Sequence, residues 1–69
     1  MAWKIDKGNE RYFNAIGKND NYIDCFIHGS GKWFMIIQYK RIFYEGNFFE
    51  TKKEALAYAK KWMKAHPNG

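Results

Sequence analysis

Apolar residues along this chain follow two rhythms, one of period two and one of period 3.6. The first runs through most of the sequence. Trp3 and Ile5 alternate with Ala2, Lys4 and Asp6, which predicts a short strand, and Lys7-Gly8-Asn9-Glu10 reads as a turn. Arg11 to Ile16 reads as a second strand, ended by the turn cluster Gly17-Lys18-Asn19-Asp20-Asn21. Tyr22 to His28 is richer in strand-forming types, and Gly29-Ser30-Gly31 follows as a short hairpin connection. Trp33 to Tyr39 is the clearest strand. Trp33, Met35, Ile37 and Tyr39 fall on one face and Phe34 and Ile36 on the other, so this strand belongs near the middle of a sheet. Ile42 to Tyr44 continues after Lys40-Arg41, and Gly46-Asn47 breaks or bulges it.

The second rhythm begins at Thr51. Thr51-Lys52-Lys53-Glu54 fits a capping box, in which the Thr51 hydroxyl accepts from the Glu54 N–H and the Glu54 carboxylate reaches back to the Thr51 N–H. Good helix formers follow, with Pro67 and Gly69 beyond the end. At 100° per residue, Ala55, Leu56, Tyr58, Ala59, Trp62 and Met63 form one stripe, while Lys53, Lys60 and Lys64 line the opposite side with Lys61 beside them. Alanines at 55 and 59 allow close approach to a sheet. The expected architecture is α+β: one domain over residues 1–69, with three or four antiparallel strands packed by one C-terminal amphipathic helix over 52–65.

Composition tells how so short a chain builds a core. At 69 residues it buries only about 60% of its unfolded surface. Aromatics make up 20% of it, and each buried ring removes roughly 150–250 Å² from water. A helix of about four turns covers one sheet face, so these rings cannot all lie beneath it. Some belong on the far face or an edge, with Phe34, Tyr39 and Tyr44 as candidates for an aromatic surface.

Net charge is +5, and the whole excess lies after residue 31. Such a balance points to a polyanionic partner or to a solubilising surface. The single cysteine, Cys25, excludes an internal disulfide and suits a reducing, cytoplasmic setting. No signal-peptide pattern is visible, and the longest apolar run, Trp33 to Ile37, is far short of a membrane span of about 20 residues. A soluble protein with no membrane partner is expected.

Catalytic, metal and cofactor chemistry finds no constellation. Cys25 and His28 have C-x-x-H spacing, but residues three apart on a strand point to opposite faces. Cys25 reads as a buried small hydrophobe and His66 as a helix-end residue. Gly29-Ser30-Gly31-Lys32 lacks the first glycine and the closing Ser or Thr of a phosphate-binding loop, with Phe26 and Trp33 in those places. The carboxylates are scattered. No enzyme is expected.

The stretch Trp33…Phe49-Glu50-Thr51-Lys52-Lys53-Glu54-Ala55…Ala59 resembles the last strands and helix of AP2-type DNA-binding domains and of phage integrase arm-binding domains. Phe49, Thr51, Glu54 and Ala55 match their strand-to-helix junction in register, and Gly46 sits one residue early, which suggests a bulge near Asn47. The resemblance covers under half the chain. It implies a helix on a three-stranded sheet and DNA contacts from the sheet face. Here only Lys32, Lys40 and Arg41 could supply them, with Lys53, Lys60 and Lys64 of the helix meeting phosphate or water. The leading expectation is therefore a non-enzymatic DNA-binding module. The alternative is a small phage or mobile-element protein that inhibits a host or defence protein through an aromatic surface. Either a monomer or an edge-paired homodimer is compatible with the pattern.

Overall fold

The computed structural model describes residues 3–29 and 31–69. Ala2 of the first expected strand and Ser30 of the glycine turn lie outside the described residues. Five strands precede the helix: β1 (Lys4–Asn9), β2 (Tyr12–Ile16), β3 (Tyr22–Ile27), β4 (Trp33–Tyr39) and β5 (Ile42–Phe49), then α1 (Lys52–Ala65). They form one antiparallel sheet in chain order, β1-β2-β3-β4-β5. The α+β architecture is as expected, but the sheet has five strands, not three or four. The reason is visible in β1, whose six residues are all exposed. The ladder to β2 holds it, with Lys4 opposite Ile16 and Ile5 opposite Ala15, so burial leaves little alternation to read.

Hairpin turns set the register. Lys40 and Arg41 have φ of 51° and 67°, and Asn19 and Asp20 have φ of 54° and 66°. Two successive left-handed residues match the twist of the flanking strands, as in type I′ turns. Asn and Asp tolerate that conformation better than Lys and Arg do. The two turns are tied together. The Asn21 Oδ1 accepts from the Lys40 N–H at 2.8 Å, and Gln38 Nε2 donates to the Asp20 carbonyl at 2.8 Å. Asn21 Nδ2 donates to the Gly69 carbonyl at 2.6 Å, so the C-terminal segment is held at the same end of the sheet. On the other side of the molecule the β3–β4 connection closes as the hairpin expected from its glycines, with His28 N–H donating to the Lys32 carbonyl at 2.7 Å.

The helix spans the expected residues. Thr51 caps it, its hydroxyl accepting from the Glu54 N–H at 3.2 Å. The return half of the box differs: the Glu54 carboxylate accepts from the Glu50 N–H at 3.3 Å, not from Thr51. The helix lies over β4 and β5. Ala55, Ala59 and Met63 are buried against Phe13, Ala15, Ile23, Cys25, Trp33, Met35 and Ile37. Leu56 and Trp62 pack partly buried at its flanks, while Tyr58 is exposed enough to reach solvent beside Phe49. Trp3 closes the core near the helix end, its indole Nε1 donating to the His66 carbonyl at 2.7 Å. No helix is long and apolar enough to cross a membrane among the described residues.

Candidate binding surface

Directly opposed residues of an antiparallel ladder share a face. Following the register therefore assigns every strand side chain to one of two sides. Tyr12 opposes Phe26, Phe26 opposes Phe34, and Phe34 opposes Phe48. One aromatic row thus crosses four strands on the side away from the helix. Its rings touch: Phe26 and Phe34 meet edge-on at 5.8 Å between centroids, and Phe34 and Phe48 lie at 5.0 Å. His28 joins the end of the row, 6.0 Å from Phe34 and 5.9 Å from Phe48.

Two further rows run parallel to it. Asp6, Asn14, Asp24 and Ile36 occupy the middle one, and Lys4, Ile16, Tyr22, Gln38 and Phe43 the last. Among the described residues no element covers this face. Its strand positions on β2, β3 and β4 bear no lysine or arginine, and Asp24 is their only charged group. Partial burial among these side chains pushes the Asp24 carboxyl above its ordinary pKa of 3.8.

The expected site residues do not converge. Lys32 precedes β4, and Lys40 and Arg41 follow it. Eight residues of strand separate Lys32 from Lys40, about 26 Å at 3.3 Å per residue. Lys32 is also held 3.4 Å from the Glu50 carboxylate. Lys40 and Arg41 share their end of the sheet with Lys18, around a cleft of about 640 Å³ that Asp20 also lines. Lys53, Lys60 and Lys64 are exposed on the helix, on the opposite side of the molecule from the aromatic row. Counting Lys52, α1 holds five lysines against Glu54, which is four of the chain's five net positive charges. The sheet and its turns carry almost no excess.

Of the three aromatic candidates, Phe34 lies in the open row. Tyr39 and Tyr44 lie on the helix side. Tyr39 stacks on Trp3 at 6.5 Å and meets His66 at 4.7 Å, and Tyr44 packs 5.2 Å from Trp62. Tyr12, Phe26, Phe48 and Phe43 are the ones a reading without register misses. Their signal was only the surplus of rings over what one helix can cover.

Cys25 and His28 stay apart, as strand geometry requires. Cys25 is fully buried on the helix side, where burial pushes its thiol up to about 11, against a smaller downward pull from the Phe26 backbone N–H. That thiol stays protonated at neutral pH and is not poised as a nucleophile. Among the described residues no three His, Cys, Asp or Glu side chains gather as a metal site would need.

Compared with protein-family models, curated proteins and solved structures, the chain matches none of them.

Proposed function

We propose that this protein is a binding module, not an enzyme, and that it acts by docking its open sheet face onto a protein partner. The aromatic row Tyr12–Phe26–Phe34–Phe48 carries this reading. Interface centres are enriched in aromatics and depleted of charge, and hot spots cluster where large rings are fully desolvated on binding. The row itself has that composition, since none of its four residues is charged. Its rim carries the polar groups that a docked interface leaves wet: Lys32 and Glu50 at one end, Lys40, Arg41 and Asp20 at the other.

Sheet-face DNA binding is the weaker reading, for an electrostatic reason. Affinity for DNA comes largely from cations that meet phosphates. Here five of the cations lie on the helix, on the far side from the rings, while the open side has only Lys4 on the edge strand and Lys32, Lys40 and Arg41 at the rim, so a nucleic-acid strand lying on the rings would meet few of them. The helix lysines remain the most favourable place for a polyanion. A reducing, cytoplasmic setting suits a buried, unpaired Cys25, and belongs to the same proposal.

Two assays separate the readings. Capture from nuclease-treated lysate by the native chain should lose its specific partner when Tyr12→Ser and Phe34→Ser are combined, and keep it when Lys60→Glu and Lys64→Glu are combined. The reverse pattern would overturn the proposal. Salt-titrated binding to single-stranded and duplex oligonucleotides gives the second test. Tight binding at about 50 mM salt that disappears with the ring substitutions would reinstate nucleic acid as the ligand of this face.

A further inference from the structure

The two edges of the sheet are unequal. Edge strands expose unpaired backbone groups, and proteins blunt them with charge, glycine and bulges. β1 is blunted chiefly by charge, with Lys4, Asp6 and Lys7 among its six residues against one charged residue among the eight of β5. Its sequence is KIDKGN, its pairing with β2 slips between Asp6 and Asn9, and Gly8 takes φ of 61° where a Cβ would collide with the Tyr12 carbonyl. β5, with sequence IFYEGNFF, leaves Ile42 55%, Phe43 59% and Phe48 50% exposed.

β5 has a bulge too, and its position matters. Ile37 opposes Tyr44 and Met35 opposes Asn47, so one extra residue enters opposite Ile36. A bulge reverses the inside–outside alternation beyond it. Before it, Ile42 and Tyr44 lie on the helix side and Phe43 on the open side. After it, Asn47 and Phe49 lie on the helix side and Phe48 on the open side. Residues equally distant from the middle of β5 therefore share a face. A regular strand of even length lacks this property, and a strand that has it is complementary to itself when run antiparallel.

We propose that two copies of the chain pair along β5, related by a two-fold axis, with Phe43 of one opposite Phe48 of the other. The backbone pattern agrees. In a two-residue hairpin the pair next to the turn, here Tyr39 and Ile42, is hydrogen-bonded, and bonding then alternates along the ladder. Phe43 opposes Gln38 and Phe48 opposes Phe34, the positions whose backbone groups on β4 serve β3. The N–H and C=O of Phe43 and Phe48 thus point out of the free edge. Opposed across the axis, these two residues exchange both hydrogen bonds, and the two-fold supplies the pair twice. The same register sets Ile42 beside Phe49 on the helix side and Arg41 beside Glu50, joining opposite charges at the rim. An isologous contact of this kind closes on itself and does not grow into a fibre.

The pairing stands independently of the partner proposed for the open face. It also extends that face, because the row Tyr12–Phe26–Phe34–Phe48 continues into Phe43 of the second copy.

Analytical ultracentrifugation of the native chain over a dilution series tests it. The mass should rise with concentration from 8.3 kDa toward twice that value. A single-chain mass up to the highest soluble concentration would overturn the proposal. Phe43→Pro removes the outward N–H and none given to β4, so it should abolish association while the far-UV spectrum is kept. Unchanged association would exclude β5. Tyr44→Cys with Asn47→Cys places thiols on one face across the axis and should give an inter-chain crosslink on mild oxidation. Phe43→Cys with Asn47→Cys, on opposite faces, should not. Crosslinking of the second pair but not the first would overturn the register. Cys25 is buried and does not compete.

Discussion

Met35 and Ile36 are neighbours in β4 and live on different sides of the sheet. Met35 is fully buried between the sheet and α1; Ile36 is half-buried in the open face between Asp24 and the β5 bulge. Both are apolar, and both sit in the same backbone ladder. What separates them is the layer above. On one side Ala55, Ala59 and Met63 complete a closed core. On the other, the rings of β2 to β5 have only each other. The sheet thus spends one set of alternate positions on its own stability and leaves the other set for contact.

Substitutions at this adjacent pair should show the difference most strongly. Met35→Ala removes a side chain with no room to collapse and should cost about 2–5 kcal/mol, as large-to-small changes do in closed cores. Ile36→Ala should cost under about 1.5 kcal/mol, since its side chain is only partly buried and no layer packs over it. In a domain of this size each kcal/mol moves the melting temperature by roughly 4–8 °C, so scanning calorimetry resolves the two. Equal losses would mean that the open face is already covered in solution.

Ala59→Leu probes how closely the cover fits. Ala59 is fully buried where α1 crosses the sheet. Extra methylenes there force the layers apart and should cost about 1–3 kcal/mol. The matched change on the open side, Asn14→Leu, adds bulk where no layer opposes it and should be close to neutral in thermal melts.

Thr51→Ala loosens the cover from its end. The Thr51 hydroxyl satisfies the Glu54 N–H, and losing such a cap costs about 1 kcal/mol. Because α1 seals one face only, amide exchange should accelerate at Met35 and Ile37 while the Phe26 and Phe34 rings keep their chemical shifts. Uniform shift changes on both faces would contradict the separation.

How much of this was legible follows from the same contrast. The helix was readable to the residue, because Thr51, Glu54 and the Ala55–Ala59–Met63 stripe are local features. The two faces of β4 were also readable, since strict alternation from Trp33 to Tyr39 needs no partner. The open face as a whole was not. It depends on which residues oppose one another, and that is set by the left-handed turns at Asn19–Asp20 and Lys40–Arg41 and by the β5 bulge. Tyr39 was grouped with Phe34 although the alternation along β4 already set it on the other face, and Tyr44 because its face depends on the turn at Lys40–Arg41. Lys32 and Lys40 were grouped because eight residues look near in sequence and are far apart along an extended strand. β1 was the faintest, since backbone pairing leaves no hydrophobic signature.

Asp24 offers the finest discrimination between the faces. It stands in the middle of the open side between Asn14 and Ile36, and partial burial raises its carboxyl pKa above 3.8. A folded-state pKa above the unfolded one means that the native state binds the proton more tightly. The stabilising contribution of the protonated group is present below the unfolded pKa and is lost as pH rises through the folded one. At neutral pH the ionised Asp24 therefore weighs against the fold. Asp24→Asn cannot ionise, so it should raise the melting temperature at neutral pH, and this gain should shrink as pH falls through the carboxylate range. A fully solvated carboxylate would give the same difference at every pH, and that outcome would show the open face to be wetter than its packed rings imply. When a partner covers the face, Asp24 loses its remaining water. Binding should then take up a proton and tighten as pH falls, unless the partner supplies a cation opposite it. In Asp24→Asn that pH dependence should vanish, which isothermal calorimetry in buffers of different protonation enthalpy would detect.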